Sequence, residues 1–235
     1  MLGPVDYAIW LVVIFIELFC LVCLLWKRAF QRHFTLVLYM FCSLAADFGC
    51  YRIIESSGYR SNVYFYFYSY AQLLLAICLF FVLMNLYSHV FSEMGVAKHI
   101  RAGAMALLAG TAGISYYLIA ASSSRLVTHF VVELGQNLYF VGVVLTYVLW
   151  AAMAKLHENR TRVTQLVLSM GVYVSLSAGS YALINLYPDH AFWKYYFQII
   201  SLWLPICWSF TFMRVPEDAR LATARILAPS VASPE

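Results

Sequence analysis

The chain has 235 residues, of which 63% are hydrophobic and 11% are charged, and its mean hydropathy is +0.78. A soluble domain of this size carries about 25% charged residues, so most of these side chains are not suited to water. A net charge of +4 would favour nucleic acid as the partner of a soluble protein, but here the basic residues lie mainly between apolar runs. The composition indicates an integral membrane protein without a nucleic-acid partner, and it leaves no room for a soluble catalytic domain.

Seven apolar runs follow one another along the chain, each about long enough to cross the hydrocarbon core as a helix. Barrel strands would instead alternate over about ten residues. The predicted spans are 7–26, 34–54, 63–87, 103–121, 129–154, 163–186 and 192–213. The first run follows Asp6 and no basic segment precedes it, so we expect it to remain uncleaved. The predicted fold is an all-α seven-helix bundle over 1–213 with a cytoplasmic tail over 214–235.

Lysine and arginine are distributed unequally between the two sets of loops. One set holds Lys27, Arg28, Arg32, Lys98, Arg101, Lys155, Arg160, Arg162, Arg214, Arg220 and Arg225. The other set holds Arg52, Arg60, Arg125 and Lys194. Because positive residues are retained in the cytoplasm, the N-terminus is predicted outside and the C-terminus inside, in the inner (plasma) membrane. Aromatic clusters at 64–70 and 193–196 open the third and seventh spans on the predicted outer side, which is typical of interfacial anchoring; an aromatic ligand box is the alternative.

Small residues recur at helix-face spacings in two of the predicted spans. They are Gly103, Ala106, Gly110 and Gly113 in the fourth, and Gly171, Ser175 and Gly179 in the sixth. Because small side chains permit close approach of helices in a bilayer, we expect both helices to be packed centrally. In the seventh span, Pro205 removes a backbone hydrogen bond and predicts a kink.

Ionisable groups within the spans indicate where a function could reside, because each costs at least about 2.5–3.5 kcal/mol at the centre of a membrane helix. Glu17 lies near the middle of the first span, whereas Asp47 and Glu133 lie in the outer parts of the second and fifth. Together with polar residues at similar depth they predict an outward-facing polar pocket. The candidate ligand-binding residues are Glu17, Asp47, Arg52, Gln72, Glu133, Asn137, Tyr181, Asn185 and Gln198. The alternative is that these groups satisfy one another, for instance Asp47 with Arg52 or Glu133 with a hydroxyl.

Signatures of catalysis and of metal or cofactor binding are not found in the sequence. The chain contains no H-E-x-x-H, G-x-S-x-G or Walker motif, and its histidines fall at the edges of the spans, where they cannot ligate a buried haem. The six cysteines all fall within apolar runs. Cys20 and Cys23 form a C-x-x-C, but an apolar mid-helix setting disfavours the thiolate, so we interpret the cysteines as buried hydrophobic residues. No catalytic residue, metal or cofactor is predicted.

Three segments resemble those of a group of uncharacterised bacterial seven-helix inner-membrane proteins. They are WKRAFQRHFTLVLYM after the first span, YFYFYSYAQLLLAICLFFVLMNLYSHVF around the third and SLWLPICWSFTFMRVPEDAR near the end. The group is similar to the seven-helix sensor regions that precede signalling domains in some bacterial kinases. The resemblance implies a membrane module, and no catalytic residue can be carried over from the group.

We therefore expect a binding or interaction protein rather than an enzyme. It would be either a ligand-sensing seven-helix module with an outward-facing polar pocket or an accessory subunit of a membrane complex. Its partners would be the lipid bilayer and either a membrane protein or a lipophilic small molecule. The alternative is a small-solute or ion/proton-coupled transporter, because acidic residues such as Glu17 and Asp47 can relay protons or hold a cation within transporter helices.

Overall fold

The computed structural model describes residues 4–27, 30, 33–58, 61–91, 97–120, 126–155, 161–186 and 192–216. In these ranges the chain forms seven α-helices, one for each predicted span. They are α1 (Pro4–Trp26), α2 (Phe34–Ser57), α3 (Asn62–Val90), α4 (Ala97–Ala120), α5 (Leu126–Lys155), α6 (Thr161–Leu186) and α7 (Phe192–Arg214). Most of the predicted tail, 217–235, lies outside the described residues.

Five helical stretches of the described chain are long and apolar enough to cross a membrane. They are Tyr7–Trp26, Phe34–Ser57, Asn62–Val90, Phe130–Lys155 and Thr161–Ile184. α7 adds a shorter apolar stretch, Ile199–Arg214. α4 is not among the five, and the side chains at both of its ends lie outside the part of the chain that the structure describes. The chain is therefore a multi-pass helical membrane protein.

Six of the helices close a ring around the interior. α1 packs against α2, α2 against α3, α3 against α5, α5 against α6, α6 against α7, and α7 returns to α1. α3 also contacts α6 across the ring, while α4 lies outside it against α5 and, to a lesser extent, α3. The tightly packed part of the interior contains the fully buried Leu36, Met40, Leu83, Leu204 and Trp208. It fills the half of the ring farther from the start of α1.

The close approach of α5 and α6 depends on two glycines. A Cβ atom on Gly171 would lie 2.9 Å from Cγ2 of Thr146, and one on Gly142 would lie 2.9 Å from Cγ1 of Val174. Real Cβ atoms do not come this near, so neither position accepts a side chain unless the facing side chain on the neighbouring helix shifts. The prediction for the sixth span holds in part: α6 belongs to the ring and Gly171 lies at a close contact, whereas Gly179 is exposed and has no atom within 4 Å of its Cβ position.

The central position predicted for the fourth span is wrong. Gly103, Gly110 and Gly113 of α4 have no atom within 4 Å of where a Cβ would stand, and all three are exposed together with Ala106. Small residues permit two helices to approach closely, but they do not determine which helices of the bundle do so. α4 turns its glycines away from α3 and α5.

Candidate functional site

A cavity of about 780 Å³ lies within the ring, at the end of the bundle where α1 begins. Small-molecule sites in proteins have volumes of roughly 300–1,000 Å³. All six ring helices contribute to its wall, and no described residue of α4 does. The wall runs from Trp10 to Glu17 on α1 and from Phe197 to Pro205 on α7, so the cavity reaches from one end of the bundle to about its middle.

Two carboxyl groups stand in the wall of this cavity. Glu17 is only 2% exposed, and its Oε1 accepts a hydrogen bond from Oγ of Ser43 at 2.6 Å. Asp47 lies beside Glu17, close enough for a hydrogen bond if one of the two carboxyls carries a proton, and the side chain of Trp10 lies near Asp47 as well. Ser43 and Asp47 are four residues apart, so the geometry of α2 presents both to the same face of α1.

The second oxygen of Glu17 is left without a donor. Its Oε2 is buried, and no hydrogen-bond donor from the described residues reaches it. A buried polar atom without a partner costs about 1–3 kcal/mol, and more when the group is charged. If both Glu17 and Asp47 are ionised, their mutual repulsion in a medium of low dielectric adds to this cost. The pair is therefore stabilised by anything that brings a proton or a positive charge between the two carboxyls.

Aromatic side chains make up much of the remaining wall. They are Trp10, Tyr39, Tyr64, Phe65, Tyr68, Tyr139, Tyr173, Tyr181 and Phe197. Rings of three helices form a continuous series, with centroid distances of 5.5 Å from Tyr139 to Tyr181 and 5.7 Å from Tyr181 to Phe197. These distances are in the range of favourable ring contacts. The series forms an apolar wall that carries hydroxyl groups.

The floor of the cavity is a group of three buried tyrosines. Tyr173 of α6 is within hydrogen-bonding reach of Tyr39 of α2 and of Tyr139 of α5. Their exposed fractions are all below 10%, and the ring of Tyr39 packs against Trp208 at a centroid distance of 5.6 Å. The three side chains meet where α2, α5 and α6 face one another. The floor therefore separates the cavity from the packed half of the bundle.

Four of the residues predicted from the sequence line this cavity. They are Glu17, Asp47, Gln72 and Tyr181. Arg52 does not belong to the wall: its side chain is 80% exposed, and Nη1 of its guanidinium lies 3.5 Å from Oε2 of Glu55 on the same helix. The suggested pairing of Asp47 with Arg52 is wrong, because the side chains that interact with Asp47 are those of Glu17 and Trp10.

Two further predicted residues lie on α5 outside the wall. Asn137 donates a hydrogen bond from Nδ2 to Oγ of Ser115 at 2.9 Å and so joins α5 to α4. Glu133 is half-buried one turn earlier on α5 and does not line the cavity. The side chains of the remaining two predicted residues, Asn185 and Gln198, lie outside the part of the chain that the structure describes.

Several cavity residues were missed by the sequence analysis, although the sequence held a signal for some of them. Ser43 precedes Asp47 by one helical turn, and Tyr173 and Ser177 precede the predicted Tyr181 at intervals of four on α6. Such spacings place residues on one face of a helix. Trp10 and Tyr139 have no comparable signal, because an aromatic ring in a membrane span faces lipid as readily as a cavity.

The donor set of the cavity differs from that of a metal centre. The described residues contain no group of three or more histidine, cysteine, aspartate or glutamate side chains arranged to hold a metal ion. The six cysteines are all free thiols, including Cys20 and Cys23 of the C-x-x-C, and four of the six are buried. The arrangement suits the binding of an organic molecule with an apolar body, because polar groups are few and placed at defined points of an aromatic wall.

Comparison of the chain with family models, curated proteins and solved structures finds no match in any of the three. The function therefore has to be argued from the cavity and from the helices that form it.

Proposed function

We propose that this chain is a ligand-sensing membrane module that binds a small lipophilic molecule in the cavity within its helix ring. All seven helices cross the inner (plasma) membrane, with the N-terminus outside and the C-terminus inside, so that the cavity faces outward. The unequal distribution of lysine and arginine supports this orientation. The five long apolar helices support the membrane location.

One observation carries the proposal: the wall of the cavity is built from all six ring helices. A molecule bound there contacts every helix of the ring at once. Its binding energy can then favour one arrangement of the helices over another, which is the physical requirement for a sensor. In an accessory subunit that only fills space in a complex, a cavity of about 780 Å³ between the helices would lower stability without a compensating gain.

The packing beneath the tyrosine floor favours binding over transport. Leu24, Leu36, Leu83 and Trp208 are at most 1% exposed, and a void next to Leu83 holds only about 10 Å³. A void of that size admits about one water molecule at most. Transport would require this half of the bundle to open, so flux through reconstituted protein distinguishes the transporter alternative.

Native mass spectrometry of the gently extracted protein tests the proposal. Ser177 is 4% exposed and lines the cavity, so Ser177→Trp places a large ring in the space that the ligand would occupy. Leu176→Trp is the matched control, because Leu176 is the preceding residue on α6 and lies on its exposed side. We expect a small molecule bound to the wild type and to the control but absent from Ser177→Trp.

Two results would contradict the proposal. The first is a mass equal to that of the bare chain in all three proteins, together with no effect of Ser177→Trp on the binding of any added small molecule. The second is solute flux in proteoliposomes that Ser177→Trp abolishes and Leu176→Trp leaves intact, which would identify the cavity as part of a transport path.

A further inference from the structure

We propose that the ligand is an organic cation, specifically a protonated amine with an aromatic or other apolar body. Its N–H groups would donate to Glu17, and its body would lie against the aromatic wall. The inference rests on the proposed function, since it specifies the chemistry of the molecule that the cavity binds.

The charge of the wall is the first support. Glu17 and Asp47 line the cavity, and no lysine, arginine or histidine is found among its described wall residues. The nearest cation along α2, Arg52, is exposed and lies near Glu55 instead. Low-dielectric walls of one sign focus the electrostatic field and attract ligands of the opposite sign. An anionic ligand would meet two carboxyls with no compensating cation.

The unpartnered oxygen is the second and independent support. Glu17 is 2% exposed, its Oε1 is satisfied by Ser43, and its Oε2 has no donor from the described chain. Hydrogen bonds between an ammonium and a carboxylate are among the stronger ones in proteins. A protonated amine supplies both a positive charge and an N–H donor at this oxygen. A quaternary ammonium supplies only the charge, so an amine fits better.

The aromatic wall is the third support, and it distinguishes an organic cation from a metal ion. Divalent cations such as Ca²⁺ take about six to eight oxygen ligands, whereas the pair offers two carboxyl groups among rings. The faces of tryptophan and tyrosine attract cations and also bury apolar groups. Trp10 places its indole beside Asp47, and Tyr181 continues the wall towards α7. The cavity therefore offers a complementary surface to both the ammonium group and the apolar body of such an amine.

Isothermal titration calorimetry with three probes of nearly equal size tests the inference. The probes are 2-phenylethylamine, 2-phenylethanol and 3-phenylpropionate, which are cationic, neutral and anionic at neutral pH. Purified full-length protein in mild detergent is titrated with each, and buffer with detergent alone gives the partition background. We expect the amine to bind at least about tenfold more tightly than the alcohol, as a hydrogen bond to a charged group implies. The anion should bind least.

Removal of the Glu17 carboxylate tests whether this group causes the preference for the amine over the alcohol. Glu17→Gln keeps the size of the side chain, and we expect it to bring the amine and the alcohol to similar affinities. Glu55→Gln is the matched control, because Glu55 is exposed on α2 outside the cavity wall and should retain the preference for the amine. If Glu17→Gln does not fold, Asp47→Asn replaces it, with the same expected loss of preference.

The possible outcomes separate this inference from the proposed function. If the alcohol binds the wild type as tightly as the amine, the cation preference is overturned while ligand binding in the cavity stands. Loss of the preference in Glu55→Gln as well would overturn the assignment to Glu17. If none of the three probes binds and the native protein still carries a small molecule, the ligand belongs to another class. If none binds and the native protein is empty, the proposed function fails with it.

Discussion

The hydroxyl of Ser43 donates a hydrogen bond to Oε1 of Glu17 at 2.6 Å and so joins α2 to α1. Glu17 is the fourteenth residue of α1, near the middle of the helix, and it is 2% exposed. The same carboxyl therefore has one oxygen that holds two helices together and one oxygen, Oε2, that has no protein donor from the described chain. The first fixes the position of the carboxyl, and the second leaves it available to a ligand.

Replacement of Ser43 by alanine should destabilise the protein. It would leave a second buried oxygen of Glu17 without a donor, at a cost of about 1–3 kcal/mol. Thermal unfolding in detergent should show a melting temperature several degrees below that of the wild type. Ser56→Ala is the control, since Ser56 is exposed and bonds only weakly, with neighbours on its own helix. Equal melting temperatures for the two variants would show that the contact with Glu17 does not stabilise the bundle.

A large side chain at Gly171 should force α5 and α6 apart. The hydroxyl of Thr146 donates to the carbonyl of Gly142 at 2.7 Å, so its methyl group cannot rotate away without loss of that hydrogen bond. We expect Gly171→Leu to lower stability by about 1–3 kcal/mol, as overpacked cores do. Gly110→Leu on α4 should change the melting temperature little, because nothing lies within 4 Å of its Cβ position. A larger loss of stability in Gly110→Leu than in Gly171→Leu would place α4, not α6, inside the bundle.

Arg162 should slow amide hydrogen exchange at the C-terminal end of α7. Its guanidinium donates from Nη2 to the carbonyl of Val215 at 2.7 Å and lies 5.1 Å from the ring centre of Phe212. In Arg162→Ala, amide hydrogen exchange in residues 208–216 should become about tenfold faster, since a hydrogen bond from a charged donor is lost. Arg52→Ala, which removes an exposed arginine from the other end of the bundle, should leave this segment unchanged. Unchanged exchange in Arg162→Ala would show that the contact does not secure α7.

The crossing of α4 determines whether the chain spans the membrane seven times. Reporter fusions after Glu93 and after Ser123 flank this helix in a bacterial host. If α4 crosses as proposed, alkaline phosphatase should be active only when fused after Ser123, and a green fluorescent protein should fluoresce only when fused after Glu93. The charge distribution predicts this order, because Lys98 and Arg101 precede the apolar part of α4. Reporters that give the same result at both positions would place α4 on one side of the bilayer.

The seven helices could be predicted from the sequence because the bilayer leaves few alternatives to a long apolar helix. The packing of those helices could not, since lipid and the protein interior are both apolar. Val13 is 4% exposed and Phe15, two residues later, is 69% exposed, yet both are equally suited to hydrocarbon. Helical periodicity that separates core from surface in a soluble protein is weak in such a chain, and α4 was misplaced for this reason.

The candidate site could be predicted only in part, for a related reason. The cost of a buried charge indicates Glu17, Asp47 and Glu133 equally well, and the position in the chain gives their depth in the membrane. Depth does not give the direction around the helix axis. α5 carries Glu133 and Asn137 outside the cavity wall, and Asn137 bonds to α4, whereas α1 and α2 turn their carboxyls into the ring. The tyrosine floor depends on contacts between distant helices, which no local pattern reveals.

An experimental structure of the protein with 2-phenylethylamine tests the central claim most directly. The account predicts the amine nitrogen about 2.7–3.1 Å from Oε2 of Glu17, the distance of a charge-assisted hydrogen bond, with the phenyl ring against the aromatic wall. Two results would contradict the account. One is a ring of helices that packs closely with no cavity inside it, and the other is a cavity that holds a lipid chain and no amine.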